Sequence, residues 1–351
     1  MDDCGLKVRC KEHAQHFIDA VEKVWKVKVN WGGDKFLGLN IKWNYDPIDP
    51  TAIISNDTAI PDSQKRFYPD HKLKGCETPA IYTHFNYKGH VDEAKAPDPI
   101  HVPEQTEFVQ QFTGTYSHLA RTVRYDLVTA VNNIAESQSN PTFQTLKDID
   151  KLANYTFRYP EAFLLFKATD MILKIHYDSS LKPHAKHKAG VVLYLSNKDA
   201  APEDIGNITE VVSKKPTNEV ASIAEGEYCT QFIAGQIAIH HRNILEAIGY
   251  PQPPTVFYGD NTTAIGIAND SVKPKKSKAF DKSYHWFRGQ VRQGIFISKH
   301  ISSELNVADY FTKPLQKADH KRQVIKLVTY PPSTPLLPKK HKKVTFSERV
   351  Y

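Results

Sequence analysis

The sequence is poor in cysteine and has no long apolar run. Its four cysteines, Cys4, Cys10, Cys76 and Cys229, are scattered through 351 residues without a C-x-x-C pair. That excludes a disulfide framework and a thiolate zinc site, and it fits a reducing compartment. No stretch approaches 18 uncharged apolar residues, so no membrane-spanning helix is expected, and the amino terminus lacks the basic, apolar, small-residue order of a secretory signal. The expectation is a soluble, intracellular protein with no membrane partner. What is present suffices for real cores: 40% hydrophobic residues and 11% aromatics, in a length that accommodates two or three domains. Lys and Arg outnumber Asp and Glu by 46 to 39, a formal charge of +7 that leans towards polyanionic partners.

Apolar residues Ala14, Phe17, Ile18, Val21, Val24 and Trp25 recur at helical spacing, predicting an amphipathic helix over 12–25 with one buried stripe. Two strand-like runs follow, KVKVNW and KFLGLNIKW, and the intervening Gly32, Gly33 and Asp34 predict a hairpin turn between them. Residues 46–105 carry repeated prolines and little periodicity, and read as an extended linker. Helical patterns return over 106–165. From about residue 166 the texture is mixed α/β: strands in MILKIHYD, GVVLYLS and NITEVVS, a long helix over roughly 219–248, the strand TVFYGD, two further helices, the strand GIFISKHIS and a last helix through NVADYFTK. Residues 319–351 read as a basic, proline-rich tail.

Four acidic residues occupy recurring structural positions in 166–318. Asp178 lies in the first strand, Glu227 early in the long helix, Asp260 at the end of the fourth strand and Asp309 in the last helix. Gathered on one sheet face they would repel, by roughly 4 kcal/mol for two charges about 4 Å apart at an effective dielectric near 20. A positive partner is required, and Mg²⁺ suits oxygen donors that must also accommodate phosphate oxygens. Taken singly, each carboxylate is an ordinary solvated helix or strand-end residue; their order is what carries information. Glu225 competes with Glu227, but two residues is about 200° of helix, so both cannot face one site.

The segments YDSSL (177–181), ASIAEGEY (221–228), DNTTAIGIANDSVKPKKSKAFD (260–281) and NVADYFTK (306–313) resemble the ribonuclease H region of copia-type retrotransposon polyproteins. The resemblance implies an α/β, ribonuclease H-like mixed sheet with flanking helices. It implies that Asp178, Glu227, Asp260 and Asp309 bind two Mg²⁺ ions, with Mn²⁺ able to replace them, and it favours Glu227 over Glu225. His300 is similar to the mobile histidine that helps product depart in many ribonucleases H; its plain alternative is a strand-end residue facing solvent. Upstream, Met1 to Asp3, KFLGLNIKW and GTYSHLARTVRYD resemble the end of a copia-type reverse transcriptase, giving a partial palm and thumb region of α+β character. On that reading 1–45 is a palm remnant, 46–105 a linker, 106–165 a helical thumb or connection, and 166–318 the ribonuclease H-like domain. Asp2 and Asp3 would be polymerase ligands, with polymerase activity not expected from this chain alone.

The implied substrate is the RNA strand of an RNA/DNA hybrid, told from DNA by its 2′-hydroxyl. Lys273, Lys275, Lys276 and Lys278 follow Asp260 and are candidates for phosphate contacts, against the alternative of a merely soluble loop. The remainder of a retroelement polyprotein is an implied partner, and a cytoplasmic, virus-like-particle location follows. The tail PLLPKKHKKV is similar to a nuclear import signal, and equally to a disordered arm that binds nucleic acid. Two other readings compete. One is an inactive or domesticated fragment that binds without cutting; the other is an integrase or transposase, against which the glutamate standing second in the acidic order counts.

Overall fold

The computed structural model describes residues 4–70, 72–82, 101–181, 187–217, 220, 222–272, 285–332 and 334. Asp2, Asp3, the loop lysines Lys273, Lys275, Lys276 and Lys278, and the tail from 335 lie outside the described residues. Among the described residues no helix is long and apolar enough to cross a membrane.

The amino-terminal unit comprises α1 (Lys11–Glu22), β1 (Lys35–Phe36), β2 (Leu39–Asn44), β3 (Thr51–Ser55) and α2 (Ala59–Phe67). Helix α1 forms near where periodicity placed it but ends at Glu22, short of Val24 and Trp25, and it buries only Ala14 and Ile18; Phe17, Val24 and Trp25 are exposed. The hairpin differs from expectation. KVKVNW forms no strand, and the turn falls inside KFLGLNIKW, at Leu37 and Gly38. Both have positive φ (50° and 75°), the two-residue turn geometry that lets Phe36 pair directly with Leu39. The Gly-Gly-Asp stretch is instead tied to the finished hairpin, with Trp43 Nε1 donating to the Gly33 carbonyl at 2.9 Å.

The linker assignment for 46–105 also needs correction, because β3 and α2 lie within it. β3 pairs antiparallel with both β2 and β4 (Leu164–Lys167), closing a four-stranded sheet. Pro61, which suggested a break, sits in the first turn of α2, where a missing N–H costs nothing.

Helices α3 (Thr106–Thr122), α4 (Val128–Ala135) and α5 (Phe143–Arg158) form the helical unit. They pack with α9 (Asp309–Thr312) and α10 (Lys317–Leu327) on one face of a five-stranded sheet ordered β7-β6-β5-β8-β9. Its strands are β5 (Ile172–Ser180), β6 (Lys188–Ser196), β7 (Asn207–Lys214), β8 (Thr255–Gly259) and β9 (Phe296–His300); β5, β6 and β7 run antiparallel in turn, while β8 is parallel to β5 and β9. The other face is covered by α6 (Ile223–Ala247), α7 (Thr262–Ala268) and α8 (His285–Arg292). Covered on both faces, β6 is buried at all nine positions: Val191, Leu193 and Leu195 join the α6 core, and Val192 and Tyr194 the opposite one. This is the mixed α/β sheet with flanking helices that the sequence implied.

A third correction concerns the carboxyl-terminal segment. Residues 317–330 are folded: α10 buries His320, Val324 and Leu327, and Thr329 bridges to Phe163. Glu77 takes ion pairs from Lys317 and Lys321. Tyr330 reaches a buried pair, Arg124 with Asp126 at 2.9 Å, where its hydroxyl and that of Tyr155 each donate to Asp126 Oδ2 at 3.0 Å. The Tyr310 hydroxyl donates to the Asp126 carbonyl, so helical unit, sheet domain and terminal segment share one polar knot. The arginine beside Asp126 overcomes burial and holds its carboxyl below the usual range.

Candidate metal centre

The site grows from the parallel pairing of β5 with β8. His176 stands opposite Tyr258, so two residues further on Asp178 and Asp260 leave adjacent strands at one level and on one face. Asp178 is buried, and Asp260, just past the end of β8, is half-buried. Glu227 comes in from the first turns of α6. That helix starts at Ser222, whose hydroxyl accepts from the Glu225 N–H. Its close approach to β5 depends on Gly226, where a Cβ would lie 2.7 Å from Ser179 Oγ. The Ser179 N–H then donates to Glu227 Oε1 at 3.0 Å.

One carboxylate oxygen each from Asp178, Glu227 and Asp260 lies within 4.8 Å of the others. Trans oxygens around Mg²⁺ are about 4.2 Å apart, given Mg–O distances near 2.1 Å, so the spacing suits one shared cation after small adjustments. Glu225 is also buried but lies outside this group, so Glu227 is the α6 glutamate that stands with the two aspartates. Burial is the first cause that raises the Asp178 carboxyl, to about 7, and the neighbouring Asp309 and Asp260 charges add to it. Burial, Asp178 and Asp260 together drive the Glu227 carboxyl well above the usual range. Glu227 Oε2 is buried without a hydrogen-bond partner. The three carboxylates offer a cation hard oxygen donors only, the type that Mg²⁺ and Mn²⁺ take.

Asp309 is placed next to this group and not within it. It opens α9, pairs with Lys313 Nζ at 2.7 Å, and bears electrostatically on Asp178. His300 ends β9 opposite Gly259, one position before Asp260, exposed at the rim. Four residues that the sequence did not single out complete the surroundings. Thr312 Oγ1 donates to Asp178 Oδ2 at 2.6 Å, and Ser303 Oγ donates to Asp260 Oδ2 at 2.5 Å. Asn306 Nδ2 donates to the Tyr177 carbonyl at 2.8 Å, pinning β5 one residue before Asp178. Gly190, opposite Asp178 in β6, leaves room for α9; a Cβ there would be 2.5 Å from the Ala308 carbonyl oxygen and 2.7 Å from Thr312 Cγ2.

No protein-family model matches the chain. Among curated proteins it is 24% identical over 229 residues to the retrovirus-related Pol polyprotein from transposon TNT 1-94 of Nicotiana tabacum, covering 64% of this chain and 17% of the polyprotein. It is 25% identical over 239 residues to the Pol polyprotein from transposon RE2 of Arabidopsis thaliana, covering 66% and 16%. The chain is similar to a stretch of retrotransposon Pol polyprotein. That is the relationship the four acidic motifs implied, and both relatives are plant copia-type elements. The chain spans less than a fifth of the length of these curated relatives. Among solved structures, LC11-RNase H1 isolated from compost aligns over 40% of this chain and 92% of its own, at 14% identity and a TM-score of 0.31.

Proposed function

We propose that this retrotransposon-like chain contains a divalent-metal-dependent endonuclease that cuts the RNA strand of RNA/DNA hybrids, as part of a reverse transcriptase and ribonuclease H polyprotein. One observation carries the reading: three carboxylates from elements distant in sequence present ligand atoms within 4.8 Å, two of them buried.

Asp178, Glu227 and Asp260 would hold the cations, Mg²⁺ or Mn²⁺, with Asp309 completing the set for a pair of ions. Bound there, such cations would supply an activated water and charge stabilisation for the departing 3′ oxygen. The residues themselves provide rigidity. Asp178 and Asp260 ride on paired strands, and Glu227 is fixed through the Ser179 N–H. A cation bound between them would favour the ionised forms of the Asp178 and Glu227 carboxyls. Asp260, at the more open side, borders the approach for a phosphate. His300 at the rim would assist product departure, and Lys273, Lys275, Lys276 and Lys278, outside the described residues, would contact the hybrid backbone.

The test is incubation of the full chain with a labelled RNA/DNA hybrid in Mg²⁺ or Mn²⁺, beside Asp260→Asn. Metal-dependent cleavage of the RNA strand by the parent alone supports the proposal. Hybrid binding without cleavage by the parent would favour the inactive-fragment reading. The proposed location is the cytoplasm, in a virus-like particle, with nuclear entry through the tail; a reporter fused to 335–351 that stays cytoplasmic removes the import part.

A further inference from the structure

The coordination available at this site depends on which carboxylate oxygens the protein already engages. Thr312 Oγ1 takes Asp178 Oδ2, Ser303 Oγ takes Asp260 Oδ2 and the Ser179 N–H takes Glu227 Oε1, one oxygen on each carboxylate. Thr312 also lies 3.1 Å from the Asp309 carbonyl oxygen, but a hydroxyl donates once, and the 2.6 Å approach to a carboxylate is the stronger bond. Both hydroxyls come from the segment after β9, which Asn306 anchors to β5 and which Gly190 admits against the sheet. Thr312 is buried, so its donor is directed by packing and not by solvent.

A carboxylate oxygen held in a short hydrogen bond has one of its two lone pairs taken, which disfavours two-oxygen binding of a cation and favours ligation through the other oxygen. Ca²⁺ takes six to eight ligands and readily uses both oxygens of a carboxylate, whereas Mg²⁺ requires six ligands in near-octahedral array and takes carboxylates through one oxygen. We propose that Thr312 and Ser303 are positioning residues that restrict Asp178 and Asp260 to one-oxygen coordination and thereby make the centre select Mg²⁺ and Mn²⁺ over Ca²⁺. The proposal rests on the metal-centre reading above. It assigns the selectivity to hydroxyls that do not themselves touch the ion.

The test is calorimetric titration of the full chain with Mn²⁺ and separately with Ca²⁺ at pH 7.5. The parent binds Mn²⁺ more tightly than Ca²⁺. Thr312→Val and Ser303→Ala each narrow that ratio by about tenfold, the size of one charge-assisted hydrogen bond, while Thr312→Ser keeps the parent ratio. General loosening would weaken both cations alike and leave the ratio unmoved. Ser303 is exposed, so its substitution keeps the fold even if Thr312→Val does not. An unchanged ratio in Ser303→Ala and in folded Thr312→Val overturns the proposal and leaves the metal centre standing. A parent that binds neither cation overturns the metal centre itself.

Discussion

Replacing Asp178 by asparagine should stabilise the metal-free protein, and by an amount that grows with pH. Three charges whose ligand atoms lie within 4.8 Å would repel by about 3.5 kcal/mol per pair at an effective dielectric near 20. Three such pairs approach the whole stability of a typical domain, so full ionisation of the metal-free protein is disfavoured. Burial first, and then the neighbouring Asp309 and Asp260 charges, raise the Asp178 carboxyl from 3.8 to about 7. For an acid whose folded value lies above its unfolded value, the native state binds more protons between the two, so stability falls as pH rises through that window. Asparagine removes this penalty. Between pH 5 and the folded value the penalty grows by two pKa units, which at 1.36 kcal/mol each is about 3 kcal/mol.

Urea unfolding in EDTA at pH 5 and pH 7.5 measures it: the stability of Asp178→Asn relative to the parent should rise by about 3 kcal/mol between the two. The comparison must be between the two proteins, because buried His176 and His320 oppose the trend. Burial lowers each to about 4, so their contribution is present above the ordinary histidine value and lost as pH falls towards 4. Both histidines are common to parent and variant and cancel. The Thr312 hydrogen bond favours the ionised carboxyl and is already contained in the folded value of Asp178. Saturating Mn²⁺ at pH 7.5 should reverse the order, stabilising the parent alone. A relative stability of Asp178→Asn that stays flat or falls from pH 5 to pH 7.5 would mean that Asp178 ionises as an ordinary surface acid, and the shared pocket would be wrong.

Glu227→Gln should abolish Mn²⁺ binding, whereas Glu225→Gln should leave the dissociation constant within about threefold, since only Glu227 points a ligand atom at the other carboxylates; equal losses by calorimetry would refute the assignment. Gly190→Ala should cost about 1–3 kcal/mol in urea unfolding and weaken Mn²⁺ binding, because the new methyl meets the Ala308 carbonyl and the Thr312 side chain. Asp126→Asn should destabilise by about 3–5 kcal/mol at pH 7 by stranding Arg124, with both side chains almost wholly excluded from water. Truncation after Ala318 should unfold much of the chain by circular dichroism, since it removes Val324, Leu327 and Tyr330 from the core; a fully cooperative native melt would restore the tail reading.

What the sequence disclosed and what it hid divide along physical lines. Asp178, Asp260 and Glu227 were legible because each is tied to a local pattern: an alternating strand, the end of an apolar run, the first turns of a long helix. Ser303 and Thr312 were not, because a hydroxyl donor is defined only by its partner, and those partners lie 43 and 134 residues away. The same reason concealed 317–330. KADHKRQVIKL looks like a charged tail until Val324, Leu327 and Tyr330 meet a helical unit whose buried ion pair lies some two hundred residues earlier in the chain. The linker error has a different origin, since prolines mark where hydrogen bonding is interrupted and not where structure ends; Pro50 precedes β3 and Pro61 opens α2 without harming either. The misplaced hairpin turn shows a third mechanism. Two stretches, Gly32–Gly33 and Leu37–Gly38, could close a turn, and the choice fell to the one that lets β2 align Ile41 with Ile54 and Trp43 with Ala52 on β3. Register against a third strand decided the turn, and that strand lay in the segment whose prolines had masked it. Local pattern could therefore assign each of these carboxylates to its element, and their order could single them out together, whereas the interactions that set their geometry become visible only once distant segments are packed together.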